Sequence, residues 1–230
     1  THQPQRINLV MEDFVDLATQ LTGYAVFYNG PRCGASAPDH LHFQALPAAF
    51  LPLIEDYDGL KRMGRVQKLK HHAEAEIYQL NHYLRTTICV EAPTQNAVVD
   101  ALRYLYGYYA DSDEEPMMNL VCVATQQMIR LFVFPRKAFR PWQYSTRNIN
   151  EQLLISPATV EMTGMLITPR EEDFNKLTDK DVLSIYQQIS MPLFAIPQIR
   201  VGIVKSTTII FALKGDYRCQ QTGALVTGEH

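Results

Sequence analysis

The sequence predicts an α+β fold, an antiparallel sheet with helices packed on it, and three stretches carry that prediction. Residues 8–21 repeat apolar positions at helical spacing and run straight into the short apolar stretch 24–28. Residues 40–45 alternate strictly between polar and apolar, the period of a half-buried strand. Residues 119–125 and 128–135 read as two strands joined through Gln126 and Gln127, a hairpin.

In chain order, the first helix sets Val10, Met11, Phe14, Val15, Leu17, Ala18 and Leu21 on its inner side, with Asn8 as the expected N-cap and Gly23 as the stop. A strand over 24–28 follows, and then a loop with Gly30, Pro31, Gly34, Ser36 and Pro38. Such small or rigid residues let backbone N–H groups approach an anion closely. The alternating stretch puts His40, His42 and Gln44 at one parity and Leu41, Phe43 and Ala45 at the other, so two imidazoles and an amide share one face.

Residues 47–54, apolar and interrupted by prolines, fit a packed connection or a short helix after Pro47. The cations Lys61, Arg62, Arg65, Lys68 and Lys70, followed by His71 and His72, read as a solvated surface. Residues 83–91 are rich in β-branched side chains and predict a strand, and 94–110 predict a helix capped by Thr94 with Val98, Leu102, Leu105 and Tyr109 inward. Tyr104, Tyr106, Tyr108 and Tyr109 on that helix read as core rather than as a base-stacking platform. The acidic stretch 111–116 closes the helix as a solvated turn.

Past the hairpin, Arg136, Lys137 and Arg140 are expected to emerge from a sheet edge, where Arg136 and Lys137 are candidates to neutralise phosphate. Residues 156–169 predict a further strand, with Gly164 at a bulge or close approach. Residues 170–190 predict a helix whose first turn carries Glu171, Glu172 and Asp173, favourable to its dipole. Beyond Pro192 and Pro197 the character changes, so one domain is expected over 1–198 and a tail or truncated second module over 199–230.

With 47% hydrophobic residues in 230, the chain can bury a real core, and disorder is excluded as its main state. A net charge of −3 creates no global field for nucleic acid or an anionic membrane, so an anionic ligand must be held by a local arrangement. Cys33, Cys89, Cys122 and Cys219 are widely spaced and form no C-x-x-C pair, which suggests neither a zinc knuckle nor a disulfide framework and points to a reducing, cytoplasmic setting. No apolar run reaches the about 18 residues of a membrane span, and no secretory leader opens the chain.

Neutral imidazole is a good nucleophile toward phosphorus, and a neighbour that accepts its other N–H fixes the attacking tautomer. His42 is the candidate nucleophile. An H-x-H on a strand also suits a metal-ligand pair or two satisfied polar side chains.

His-x-His-x-Gln behind a Gly/Ser/Pro loop resembles the signature of the transferase branches of the histidine-triad superfamily, in which Gln replaces the last His. Those branches are galactose-1-phosphate uridylyltransferase, diadenosine tetraphosphate phosphorylase and GDP-L-galactose (GDP-hexose) phosphorylase. The run His40-Leu41-His42-Phe43-Gln44-Ala45 is most similar to the GDP-hexose phosphorylases. The resemblance implies a histidine-triad-like antiparallel sheet, with a degenerate two-half arrangement as in the uridylyltransferases. It implies a nucleotidyltransferase or phosphorylase acting on a nucleoside diphosphate sugar or dinucleoside polyphosphate, with phosphate or sugar phosphate as acceptor. His42 would become nucleotidylated, His40 would position it, Gln44 would donate to the α-phosphate, and Asn29, Gly34, Ala35 and Ser36 would contact phosphate oxygens.

A covalent nucleotidyl-histidine requires no cofactor. Some members hold a structural metal through Cys and His; the Cys pair is missing here, so no metal is expected. Asp39 stands between Pro38 and His40, where the uridylyltransferase and dinucleotide phosphorylase patterns pass directly from Pro to His. Two alternatives stand beside the transferase. A hydrolase of the same superfamily carries His at the position of Gln44, which argues against it, and a non-catalytic nucleotide-binding or regulatory module remains. The resemblance allows a homodimer and implies no nucleic acid or membrane partner. The opening Thr1-His2-Gln3 lacks an initiator Met, and the resembled folds place several strands before it, so a fragment is expected. Residues 199–230 weakly resemble the opening strands of sporulation-protein D-like domains.

Overall fold

The computed structural model describes residues 3–111 and 114–192. Within them β1 (Tyr24–Asn29), β2 (Gln44–Pro47), β3 (Val66–His72), β4 (Ala75–Leu80), β5 (Ile88–Ala92), β6 (Met118–Ala124) and β7 (Ile129–Pro135) form one antiparallel sheet. Its order is β2-β1-β6-β7-β5-β4-β3. The β-branched and aromatic runs of β5 and β7 are buried along almost their whole length, because both faces of the sheet are covered.

Side chains alternate between two cores. Val26, Tyr28, Leu120 and Leu131 face α1 (Met11–Gln20) and α3 (Gln95–Tyr109), whose Phe14, Val15, Val98 and Leu102 complete that layer. Ala25, Phe27, Val121 and Phe132 face the other way. There they meet Leu53 and Tyr57 of α2 (Pro52–Arg62), Met162 of α5 (Thr159–Met162) and Val182, Ile185 and Ile189 of α7 (Asp179–Ile189). Two short helices, α4 (Trp142–Ser145) and α6 (Glu171–Lys176), sit in the connections of this second layer.

The architecture is the α+β antiparallel sheet that the sequence predicts, and several elements differ in detail. The strand expected over 40–45 begins only at Gln44, because residues 3–5 take the hydrogen bonds of the residues before it. Asn8 caps no helix: Ile7–Leu9 is a 3-10 turn, and α1 starts after Val10. The basic run is the end of α2 and the edge strand β3; its half-buried Val66 and Leu69 pack inward while lysines line an edge where charge discourages further pairing. Residues 156–169 are no strand. Gly164, at φ +112°, lies where a Cβ would come within 2.9 Å of the Arg85 guanidinium, and the chain runs irregularly apart from α5. The long helix over 170–190 is two, α6 and α7, separated where Thr178 and Asp181 form a capping box. Tyr106 and Tyr109 pack against the core, whereas Tyr104 and Tyr108 are exposed, Tyr104 stacking on His72 beneath Lys70. Residues 199–230, with their expected second module, lie outside the described residues. Among the described residues no helix is long and apolar enough to cross a membrane.

The segment before α1 is tied to the sheet by Glu115. Its carboxylate accepts from the Ile7 N–H at 2.8 Å and from the Tyr28 hydroxyl. Burial pushes its pKa up from 4.5 to about 7, although the Tyr28 and Ile7 hydrogen bonds and the charge of Arg6 pull the other way. The folded state therefore holds a proton that the unfolded chain has already released between these values. Stability should be full near pH 4.5 and fall as pH rises to about 7, by on the order of 3 kcal/mol. Urea unfolding at a series of pH values should show that decline, and Glu115→Gln should flatten it.

Candidate active site

β1 ends at Asn29, and the chain turns through Gly30, where a Cβ would meet the Met118 carbonyl at 2.8 Å. The Cys33 N–H closes that turn on the Gly30 carbonyl at 2.8 Å. Gly34 follows with φ +99°, and a Cβ there would stand 2.5 Å from that of Ala158, so only glycine lets the loop lie against the segment leading into α5. Ala35 is half-buried on this loop, while Ser36 and His40 are exposed.

The returning chain is fastened by an amide. The Gln5 side chain, 1% exposed, donates through Nε2 to the carbonyls of Asn29 (3.0 Å) and His42 (3.1 Å) and accepts the His42 N–H at 2.9 Å. The neighbouring main chain adds Leu41 N–H to Gln3 and Gln5 N–H to Pro38. A side-chain amide thus occupies the place of a backbone peptide between the end of β1 and His42, and widens the sheet there. The alternation survives: Leu41 and Phe43 pack against the first core, Phe43 with its ring centroid 5.2 Å from that of Phe14. Gln44 pairs with Phe27 across β1 and shares its face.

The His42 ring is oriented by the chain itself. Its Nδ1–H donates to the His40 carbonyl at 2.7 Å, so Nε2 carries the lone pair. His40 therefore acts on His42 through its backbone. Beside it, Gln44 Oε1 accepts from Asn29 Nδ2 at 3.1 Å, which leaves the Gln44 Nε2–H₂ as the open end of that amide. Asn29 Oδ1 accepts in turn from Asn119 Nδ2 (3.0 Å) and from the Thr159 N–H (2.8 Å). The Thr159 hydroxyl has one hydrogen for Asn29 Oδ1 (2.7 Å) and the Tyr28 carbonyl (2.9 Å). Asn119 Nδ2 also reaches the Cys33 carbonyl at 2.7 Å, and Asn119 Oδ1 accepts from Arg136 at 2.7 Å.

Arg136 thus differs from its sequence-level expectation. It does not emerge from the sheet edge: it is 2% exposed, its two terminal nitrogens also donate to the carbonyls of Pro157, Ala138 and Phe139, and its Nε–H has no partner among the described residues. Its strand neighbour Pro135 and its bridge to Ser190, just past α7, hold its backbone inside the fold. Lys137 is exposed and enters the fold through its backbone, its N–H bonded to the Ile189 carbonyl. Of the expected residues the structure gathers Asn29, His42 and Gln44 in one hydrogen-bonded group, with Gly34 shaping the adjoining loop. Gln5, Asn119 and Thr159 belong to the group and were missed. Asn119 and Thr159 left a faint signal as polar residues within apolar runs; Gln5 left none. Among the described residues, no group of three or more His, Cys, Asp or Glu side chains converges as a metal site would.

Residues 60–195 match the family model GDPGP1-like, C-terminal domain. The chain belongs to that family. Residues 1–47 of this GDPGP1-like chain match a second model, Domain of unknown function (DUF4922), and these hold Gln5, the loop and His42. Asn119, Arg136 and Thr159 come from the first model's span, so the group joins both matched regions. The solved structure of yeast Ap4A phosphorylase Apa2 has the same fold, with a TM-score of 0.54 and 20% identity over 84% of this chain and 68% of that one. No curated protein matches the chain. The fold shared with that Ap4A phosphorylase is the histidine-triad-like fold that the His-x-His-x-Gln resemblance implies.

Loss of the Gln5 clasp should slow chemistry and loosen the fold together. Gln5→Ala strips partners from the Asn29 carbonyl and from both backbone groups of His42. It should cost about 2 kcal/mol of stability and reduce the rate about tenfold or more through misplacement of His42. Urea unfolding and single-turnover rates on one preparation check both.

Proposed function

We propose that this protein is a nucleotidyltransferase that phosphorolyses a nucleoside diphosphate sugar or a dinucleoside polyphosphate through a nucleotidyl group carried on His42. The observation that carries the reading is the 2.7 Å hydrogen bond from His42 Nδ1 to the His40 carbonyl, which leaves Nε2 to attack. In the first half-reaction the Nε2 lone pair forms a bond to the α-phosphorus, and the bond from that phosphorus to the bridging oxygen breaks, its electron pair leaving with the sugar phosphate or nucleotide. No proton need move. The positive charge that develops on the imidazole stays on the Nδ1–H side, where the His40 carbonyl accepts it; a hydrogen bond to a charged group contributes about 1.5–3 kcal/mol.

In the second half-reaction an oxygen of inorganic phosphate attacks the same phosphorus, the P–N bond breaks, and His42 is restored. The open Gln44 amide supplies a donor to the α-phosphate, and the Gly34–Ser36 backbone lies on the adjoining loop. The imidazole serves as both nucleophile and leaving group, so the reaction needs no cofactor. The Apa2 fold, solved for an Ap4A phosphorylase, and the GDPGP1-like family match support a phosphorylase. The fitting test incubates the protein with GDP-hexoses, other NDP-sugars and diadenosine polyphosphates, with and without phosphate. Consumption that requires phosphate and yields a nucleoside diphosphate is expected; equal consumption in water alone would make the protein a hydrolase.

A further inference from the structure

We propose that Arg136 is a positioning residue of this site: through Asn119 and Asn29 it fixes which end of the Gln44 amide faces the substrate's phosphate. The inference rests on the reading of His42 as nucleophile and adds to it a residue that touches no substrate. A guanidinium buried to 2% exposure ordinarily has a carboxylate partner, since desolvating an unpaired cation is costly. Among the described residues Arg136 forms no ion pair; it faces one amide oxygen and three carbonyls. An aspartate at position 119 would neutralise it without a change of shape. Asparagine stands there instead, and what asparagine has that aspartate lacks is a hydrogen to pass on.

The polarity then follows step by step. Arg136 can only donate, so Asn119 Oδ1 accepts and Asn119 Nδ2 must point at the Cys33 carbonyl and Asn29 Oδ1. The Thr159 N–H, a second group that can only donate, addresses the same Asn29 oxygen. Asn29 Nδ2 is left to donate to Gln44 Oε1, and Gln44 Nε2–H₂ becomes the open end. A glutamine amide has nearly the same shape either way round, and turned over it would present an oxygen to a phosphate oxygen. The relay settles that choice before substrate arrives, which is the preorganisation that transition-state stabilisation requires.

The test is Asn119→Asp. It keeps the size, gives Arg136 a carboxylate, and removes the hydrogens owed to Asn29 and Cys33. Two readouts are taken on the same proteins. The first is the position of the Gln44 side-chain amide pair in nitrogen–proton correlation spectra without nucleotide, the pair being identified by its loss in Gln44→Ala. The second is the rate of His42 nucleotidylation in the single and double variants. Asn119→Asp should shift the Gln44 pair and slow nucleotidylation roughly tenfold, yet cost less than about twofold in the Gln44→Ala background, as expected for groups acting in series. An unmoved Gln44 pair, or an equal loss in both backgrounds, overturns the proposal. A wild-type protein that never labels His42 defeats the proposed function alone; the Gln44 spectrum then decides the relay by itself. Asn29→Asp, one bond nearer to Gln44, must give the same pattern, and it replaces Asn119→Asp should that variant not fold.

Discussion

Replacing His42 with glycine should lower turnover of nucleotide substrates by at least about four orders of magnitude, the scale of losing a covalent nucleophile. The fold should tolerate the change. Gln5 grips His42 by its backbone N–H and carbonyl, not by its ring, so a glycine keeps the clasp. The ring itself is only partly buried, and its removal leaves a gap facing the substrate rather than a hole in the core. That gap has the shape of an imidazole. A nucleoside 5′-phosphorimidazolide supplies the missing ring already bonded to the α-phosphorus, and the His42→Gly protein should transfer its nucleotidyl group to phosphate. Steady-state assays with ordinary substrate and with the imidazolide measure the two outcomes on one protein. Survival of ordinary turnover at the unmodified rate would remove His42 from the chemistry.

Gln44→Ala should slow the reaction about a hundredfold without abolishing it, because it removes one preorganised donor to a phosphate whose charge is redistributed in the transition state. The loss should fall on kcat more than on KM, since the donor is worth most when the phosphorus is five-coordinate. Gln44→Glu should be worse than Gln44→Ala. A carboxylate there has no hydrogen for the α-phosphate and adds a negative charge beside it. Single-turnover rates for the three proteins give the order. Equal activity of the Glu and Ala variants would mean that this side chain never meets the phosphate.

The parts of the fold that were legible in the sequence are those where one physical signal dominates. Apolar period and a capping Thr94 gave α3, whose first turn is capped by that side chain, and two apolar runs either side of Gln126 and Gln127 gave the β6–β7 hairpin. The histidine run marked a candidate site because its chemistry is local. What stayed hidden depends on long-range partners. β3 carries so many lysines that its pattern resembles a solvated surface, and only its pairing with β4 makes it a strand. Residues 40–43 alternate as a strand should, yet Gln5, from 37 positions before His42, takes their ladder bonds. Arg136 has the look of a phosphate-binding cation at a strand end, and only the fold shows it covered by residues 157 and 190. A single sequence holds no trace of which amide will meet which guanidinium.

The central claim is a nucleotidyl group bonded to His42, and trapping it is the most direct test. The protein should be mixed with nucleotide substrate labelled at the α-phosphorus, in the absence of phosphate, denatured within one turnover, and digested at alkaline pH. The account predicts one labelled peptide, containing His42, with a bond labile to acid and stable to base, and discharge of the label as nucleoside diphosphate when phosphate is added before denaturation. Label on a peptide without His42, or full turnover with no protein-bound label at any time, would contradict it.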